Sequence, residues 1–566
     1  MFNKIKILTF LSLLSSILII AQNNSIKVGN VLPGEVDMGG FSLTQDSVIE
    51  INGLCTSLDE WDNYLNYYAW ILETNSRKVV WRSENDENYS SSDGDYNIET
   101  KLKLKSGDYE IYFAACMNIA KSINISFGGI HGLIHGHKSD IRKFRDKYSI
   151  KVLGSEGIFE LQKPFELVNK LHKDAIVAIT RVGDYEKIEK RFSLNKETEI
   201  EIYGVGEGVK KEFYDMGYIY DVSKNRKVWM FNRDDAIKPG GGKKNVAQKA
   251  IITLPKGSYS VIYKSDDSHS FDEWNVKPPD DPQHWGIVLS LVNKSDKKNV
   301  IPFNKKDIVK PIVEITKVEE DEFISKGISI SKSIKIRILS IGEGHKRLID
   351  YGWITNADTR EVVWKMTYEN SNYAGGNKKN RMVDDVISLK SGTYIVSYVT
   401  DDTHNYDDWN SSPPFDEDRW GITIWTLNKN DKKYVKPFNA NRYKSKNLIA
   451  EIIKVGDDEK LSKRFNLSHK TKVKIIAIGE GTNGGMDDYA WITNDDGETV
   501  WKMEYKKTSH AGGAHKNRLY DDEINLETGR YKLYFKSDDS HSFEDWNSTA
   551  PDNPGMYGVT LLRVGK

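Results

Sequence analysis

Ile524–Asn547 reads INLETGRYKLYFKSDDSHSFEDWN, and two earlier stretches repeat it: ITLPKGSYSVIYKSDDSHSFDEWN at 252–275 and ISLKSGTYIVSYVTDDTHNYDDWN at 387–410. Each opens on two short runs rich in β-branched and aromatic residues, separated by a Gly-containing turn, which is the pattern of a β-hairpin. Each closes on an acidic segment carrying one His and one Trp. Asp266, Asp401 and Asp538 are spaced by 135 and 137 residues. A catalytic site is rarely needed three times in one polypeptide, whereas a structural or binding loop often is.

Working upstream, every copy carries the same order of features. A strand ends in Gly-Glu-Gly at 206–208, 342–344 and 479–481. MGYIYDVSKNRKVW, YGWITNADTREVVW and YAWITNDDGETVW follow, then GGGKKN, GGNKKN and GGAHKN. The first part of the chain is a diverged copy: YYAWILETNSRKVVW and LKLKSGDYEIYFAAC match two of the features, and Lys163-Pro164-Phe165 matches Ile301-Pro302-Phe303 and Lys436-Pro437-Phe438. No long stretch has a 3.6-residue period, and turn chemistry separates short strands throughout. The expected fold is all-β, with four tandem antiparallel β-sandwich (jelly-roll-like) repeats at 22–172, 173–310, 311–447 and 448–566.

Before them, residues 1–21 read as a signal peptide. Lys4 and Lys6 precede an apolar run of 14 residues, Ile7–Ile20, and Ala21 offers a cleavage position. The run is short for a membrane span. The mature chain is therefore expected to be secreted or periplasmic, without a membrane span. The 81 Lys+Arg and 82 Asp+Glu nearly cancel, so bulk charge gives no reason to expect nucleic acid as a partner.

The only cysteines are Cys55 and Cys116, both in repeat 1. In an exported protein such a pair reads as a disulfide. Cys55 falls at the Gly-Glu-Gly turn and Cys116 at the first Asp of the Asp-Asp pair. A disulfide holds Cα atoms within ~7 Å, so those two turns should be neighbours in every copy. Clustered carboxylates repel and need compensation. A hard cation such as Ca²⁺, which takes oxygen ligands, is one answer. The candidate ligands are Glu207, Asp266, Asp267, Asp272 and Asn275; Glu343, Asp401, Asp402, Asp407 and Asn410; and Glu480, Asp538, Asp539, Glu544 and Asn547. The other answer is a loop closed by side-chain hydrogen bonds, with Lys264 or the Lys243-Lys244 pair neutralising the charge.

His269, His404 and His541 lie beside Asp and Ser or Thr, which invites a hydrolase reading. However, no nucleophile elbow, HExxH or Walker sequence is present. A structural His bonded to a backbone carbonyl is the plainer expectation. Trp274, Trp409 and Trp546 are followed eleven residues later by Trp285, Trp420 and Tyr557, across a Pro-containing segment. These six aromatic residues either form a platform for a glycan or protein ligand or plug the loop onto the sandwich. HGLIHGH, with His131, His135 and His137, offers metal-ligand spacing on a Gly-rich loop.

The Leu-x-x-Gly-x-Tyr pattern at Leu254-Gly257-Tyr259, Leu389-Gly392-Tyr394 and Leu526-Gly529-Tyr531 resembles exported bacterial β-sandwich modules such as the pre-peptidase C-terminal domains. The resemblance covers about ten residues per copy and implies a non-catalytic accessory or binding module. The expected function is a binding or structural array for a glycan or protein ligand, with acidic loops that hold Ca²⁺. The alternative is a secreted hydrolase using the His/Asp loops.

Overall fold

The computed structural model describes residues 24–56, 65–86, 89–92, 95–117, 146–209, 212–543 and 545–565. The expected signal peptide, the HGLIHGH loop and Glu544 lie outside them. The chain divides into two compact units at Ile308/Val309, each holding two sandwiches.

Repeat 4 shows the plan. Its first sheet runs in the order Leu448–Ile453, Gly558–Arg563, Thr471–Glu480, Asn517–Leu526 and Ser509–His510. Its second runs Lys460–Leu467, Gly529–Lys536, Tyr489–Asn494 and Thr499–Lys502. All these pairings are antiparallel. Along Gly529–Lys536 the side chains alternate as a strand requires. Tyr531, Leu533 and Phe535 enter the core between the sheets, with Val473, Ile475, Ile492 and Leu561. Arg530, Lys532, Tyr534 and Lys536 therefore point outward.

Repeats 1 and 3 each close two five-stranded sheets. In repeat 2 the two sheets are joined, because Glu207–Val209 pairs with Glu212–Asp215. The fold is thus the all-β tandem sandwich that the alternation implied. Repeat 1 keeps the edge strand of repeats 2 and 3, Val300–Ile301 and Val435–Phe438, as Phe159–Gln162, and departs just after it, where Pro164 starts an α-helix, Pro164–Leu171.

The Leu-x-x-Gly-x-Tyr pattern has a physical reason. The Tyr hydroxyl donates to the carbonyl four residues upstream and ties the hairpin turn: Tyr259 to Pro255, Tyr394 to Lys390 and Tyr531 to Glu527, at 2.7–3.0 Å. Tyr109 does the same to Lys105 in repeat 1.

The expected cystine is corrected. Cys55 and Cys116 are both buried free thiols. Cys55 faces the core between the sheets with Ile98, Phe113 and Ala115. Cys116 follows Ala115 on one strand, so alternation turns it to the other face, among Tyr68, Trp70 and Tyr112. Sulfurs on opposite faces of a sheet cannot bond without moving backbone.

Within each unit the outer face of one sandwich meets a loop of the next. In the first unit Trp70 Nε1 donates to the Asp280 carbonyl at 2.8 Å, Arg82 pairs with Asp280, and Arg77 bridges Glu110 and Asp281. In the second, Lys365 pairs with Asp552 at 2.7 Å and Arg360 with Glu451 at 2.8 Å. Register places Trp353, Arg360 and Lys365 where repeat 1 has Trp70, Arg77 and Arg82. Among the described residues no helix is long and apolar enough to cross a membrane.

Candidate metal centre

The strand ending in Gly-Glu reaches the loop end of each sandwich beside the strand that begins at the repeated aromatic stretch. The Gly is needed there. A Cβ on Gly206, Gly342 or Gly479 would sit 2.0–2.3 Å from the carbonyl of Asp215, Asp350 or Asp488. That close approach sets the Glu carboxylate beside the Asp. The Asp-Asp loop arrives from a third direction. Its first Asp donates a backbone N–H to the same Asp: Asp266 to Asp215 Oδ1 at 2.9 Å, Asp401 to Asp350 at 3.0 Å and Asp538 to Asp488 at 2.8 Å.

Three carboxylates thus converge in each of repeats 2, 3 and 4: Glu207, Asp215 and Asp266; Glu343, Asp350 and Asp401; Glu480, Asp488 and Asp538. The oxygens each trio can offer lie within 4.8 Å of one another. The neighbourhood of the Glu and Asp turns follows from this geometry without a disulfide. Of the expected ligands, Glu207, Asp266, Glu343, Asp401, Glu480 and Asp538 belong to the trios. Asp267, Asp402 and Asp539 are exposed beside them, and Asp272 and Asp407 are exposed further along the loop. Asn275, Asn410 and Asn547 face the loop His instead, and Asn410 and Asn547 also accept from Lys379 and Lys516 at 2.6 Å. None of these residues is a member of a trio.

Asp215, Asp350 and Asp488 were missed by the sequence reading. Each stands three residues before the outward aromatic, Tyr218, Trp353 or Trp491. That shared offset was the available signal.

One Lys serves each trio: Lys244 meets Glu207 at 3.0 Å, and Lys379 and Lys516 meet Glu343 and Glu480 at 2.9 Å. A single cation leaves two carboxylates uncompensated. Burial pushes Asp215 and Asp350 well above the usual carboxylate range, and Glu207 and Asp488 up to about 7. Glu207 Oε2, Glu343 Oε2, Glu480 Oε2 and Asp350 Oδ2 are buried without a hydrogen-bond partner. Orphaned buried oxygens of this kind are costly unless something occupies the space between them. An all-oxygen donor set suits a hard cation such as Ca²⁺ rather than one that prefers nitrogen or sulfur.

Among the described residues repeat 1 has no such trio. By register Thr56, Tyr67 and Cys116 stand where repeat 4 has Glu480, Asp488 and Asp538. The Tyr67 N–H donates to Thr56 Oγ1 at 3.0 Å, so a neutral pair closes that corner.

The His side chains are structural, through an amide rather than the backbone carbonyl expected. His269, His404 and His541 are fully buried with positive φ of 61°, 54° and 60°. Each Nε2 meets Asn245, Asn380 or Asn517 Oδ1 at 2.5–2.6 Å. The same amides donate to two carbonyls each, one in the Gly-Gly loop and one in the segment after the Trp. One Asn therefore staples three loops. Burial depresses His269 to about 2 and His404 and His541 to about 4, so the rings are neutral.

The aromatic pairs plug the loop, one of the two roles that the sequence left open for them. Trp274 meets Trp285 edge-on at 4.9 Å, Trp409 meets Trp420 at 5.0 Å and Trp546 meets Tyr557 at 5.1 Å, with the His ring completing each triad. Trp285, Trp420 and Tyr557 are fully buried, and Trp274 nearly so. Trp285 Nε1 and the Tyr557 hydroxyl donate to Asp215 and Asp488, which couples the plug to the trio.

No family model and no curated protein matches this chain. Among solved structures it is similar to the CUB1-EGF-CUB2 domain of human MASP-1/3, at 10% identity over 44% of this chain and 96% of that one, with a TM-score of 0.14. A likeness at that level carries no argument about function.

Proposed function

We propose that the chain is an exported, non-catalytic binding array of four β-sandwich modules, in which repeats 2, 3 and 4 fix their loop ends with Ca²⁺. The observation that supports this most is the buried carboxylate trio, present three times with orphaned oxygens and one Lys apiece. The neutral, amide-bonded His side chains weigh against the hydrolase reading, since a general base must reach a substrate proton. The ligand class that fits an array of this kind is a glycan or a protein.

The test is differential scanning calorimetry of the whole chain in Ca²⁺, Mg²⁺ and EDTA. A ligand selective for the folded state at 100 times its Kd stabilises by about 2.7 kcal/mol per site. Ca²⁺ should raise Tm by several degrees over EDTA, and Mg²⁺ should do less. An identical Tm in all three buffers removes the cation from the proposal.

A further inference from the structure

The outward face of the second sheet in repeat 4 differs from its counterparts in repeats 1 and 3. In repeat 3, register lines up Ser325, Ser397, Trp353 and Lys365 across the sheet, flanked by Phe323–Val399–Tyr351 and Gly327–Ile395–Thr355. Trp353 is 1% exposed there, and Trp70 of repeat 1 is equally buried. The matching rows of repeat 4 are Ser462–Tyr534–Trp491–Lys502, Lys460–Lys536–Tyr489 and Arg464–Lys532–Thr493. Lys460, Arg464, Lys502 and Lys536 are exposed, and Tyr489, Trp491 and Tyr534 are half-exposed.

Two features combine on this face. Lys460 lies directly opposite Lys536 and Arg464 opposite Lys532; repeat 2 has the first pairing, Lys187 with Lys264, but faces Arg191 with Ser260, and like charges in such positions destabilise a sheet unless an anion answers them. The rings also hold the ammonium groups in place. Trp491 and Tyr534 stack at 4.8 Å and 3°, while Lys532 lies over Tyr534, Lys502 over Tyr489 and Lys460 over Trp491 at 4.5–5.9 Å. Repeats 1 and 3 meet their neighbour through cations matched one for one by carboxylates, Arg77 and Arg82 with Asp281 and Asp280, and Arg360 and Lys365 with Glu451 and Asp552. Lys460, Arg464, Lys502, Lys532 and Lys536 exceed what such a neighbour neutralises.

We propose that this face binds an acidic polysaccharide through the carboxylates or sulfates along its chain. The inference rests on the reading of the protein as a binding array and names a ligand class for a surface that the trios do not touch. Single-stranded nucleic acid is bound on open ring faces, and here the stacked pair and its lysines occupy those faces. A membrane surface calls for a broad apolar face beside the cations, which the Lys and Arg rows interrupt. A second copy docked symmetrically would oppose these cations with themselves.

The experiment is calorimetric titration of the full chain in EDTA at low salt, with polygalacturonate, dextran sulfate and neutral dextran as probes. Binding to one or both polyanions, weakening steeply with salt, and none to neutral dextran is expected; the two polyanion arms separate carboxylate from sulfate recognition. Lys532→Glu/Lys536→Glu should weaken binding at least tenfold, and Lys502→Glu, on a different strand, several-fold. Lys305→Glu/Lys306→Glu, an exposed pair in the first unit, should change it less than twofold. Circular dichroism verifies that each variant is folded. No binding by the wild type, equal losses in both paired variants, or tighter binding to single-stranded DNA or phosphatidylglycerol vesicles overturns the proposal. Because the buffer is chelated, this outcome is separable from that of the Ca²⁺ test.

Discussion

The backbone N–H of Asp401 donates to Asp350 Oδ1 at 3.0 Å, and the other oxygen of Asp350 is buried without a partner. One oxygen thus positions the Asp-Asp loop, and the second remains for a cation shared with Glu343. Asp350→Asn preserves the first role and removes the charge. In EDTA this variant should melt at or above the wild-type temperature. With three trios among the described residues, it should lose roughly a third of the calorimetric Ca²⁺ uptake. Unchanged stoichiometry by titration contradicts the assignment.

The pH dependence has a definite sign. Burial pushes Glu207 and Asp488 up to about 7 from 4.5 and 3.8. A carboxyl raised in this way supports the fold fully below its unfolded pKa, and that support is lost as pH rises through about 7. A cation binds the ionised form and reverses the effect. The Tm difference between Ca²⁺ and EDTA should therefore be small at pH 5 and grow through pH 7. The His groups have the opposite sign, since His404 and His541 are held down at about 4; their support is present above 6.5 and lost as pH falls to about 4. That limb is common to both buffers and cancels in the difference. A difference that does not vary with pH contradicts the trios as the cation site.

Asn517 joins His541 to the carbonyls of Gly512 and Thr549. Asn517→Ala leaves these buried groups unpaired, at about 1–3 kcal/mol for each one stranded. The expected loss is at least about 3 kcal/mol, measured by hydrogen exchange over 537–549. A change below about 1 kcal/mol means that the loops are held by other contacts.

Arg77 bridges Glu110 and Asp281, both almost fully buried. Arg77→Ala strands two buried carboxylates and should cost about 3–5 kcal/mol. Arg191→Ala, which breaks the half-exposed pair with Glu189, should cost about 1 kcal/mol or less. Calorimetric transitions of the two variants provide the comparison, and equal shifts refute the distinction.

Burial pushes both thiols up to about 12. Native protein should react slowly with Ellman's reagent. After denaturation without reductant, both Cys55 and Cys116 should be titratable. A chain with no titratable thiol carries the cystine that the strand geometry forbids.

The all-β repeat was legible because hairpin patterning, turn residues and the Tyr of Leu-x-x-Gly-x-Tyr act locally. Proximity of Glu207 to Asp266 was also legible, although the disulfide argument behind it fails on parity: Cys116 is one residue past Ala115, which faces the core. Asp215, Asp350 and Asp488 escaped because they sit in dissimilar local sequences and are brought in by tertiary register. The fate of the Trp residues was left open because an aromatic on a loop reads alike whether it plugs or binds. Only closure of the loop by Asn245, Asn380 and Asn517 decides between them.

Moving the carboxylate corner into the first module is a four-site problem. Cys55 occupies the place of Gly479, where a Cβ would collide with the facing carbonyl, while Thr56, Tyr67 and Cys116 supply none of the charges. Any single exchange would leave an isolated acid or an unfilled corner, so intermediates between the two versions are disfavoured. An engineer grafting ion dependence onto this scaffold, or removing it, would have to change the four positions together.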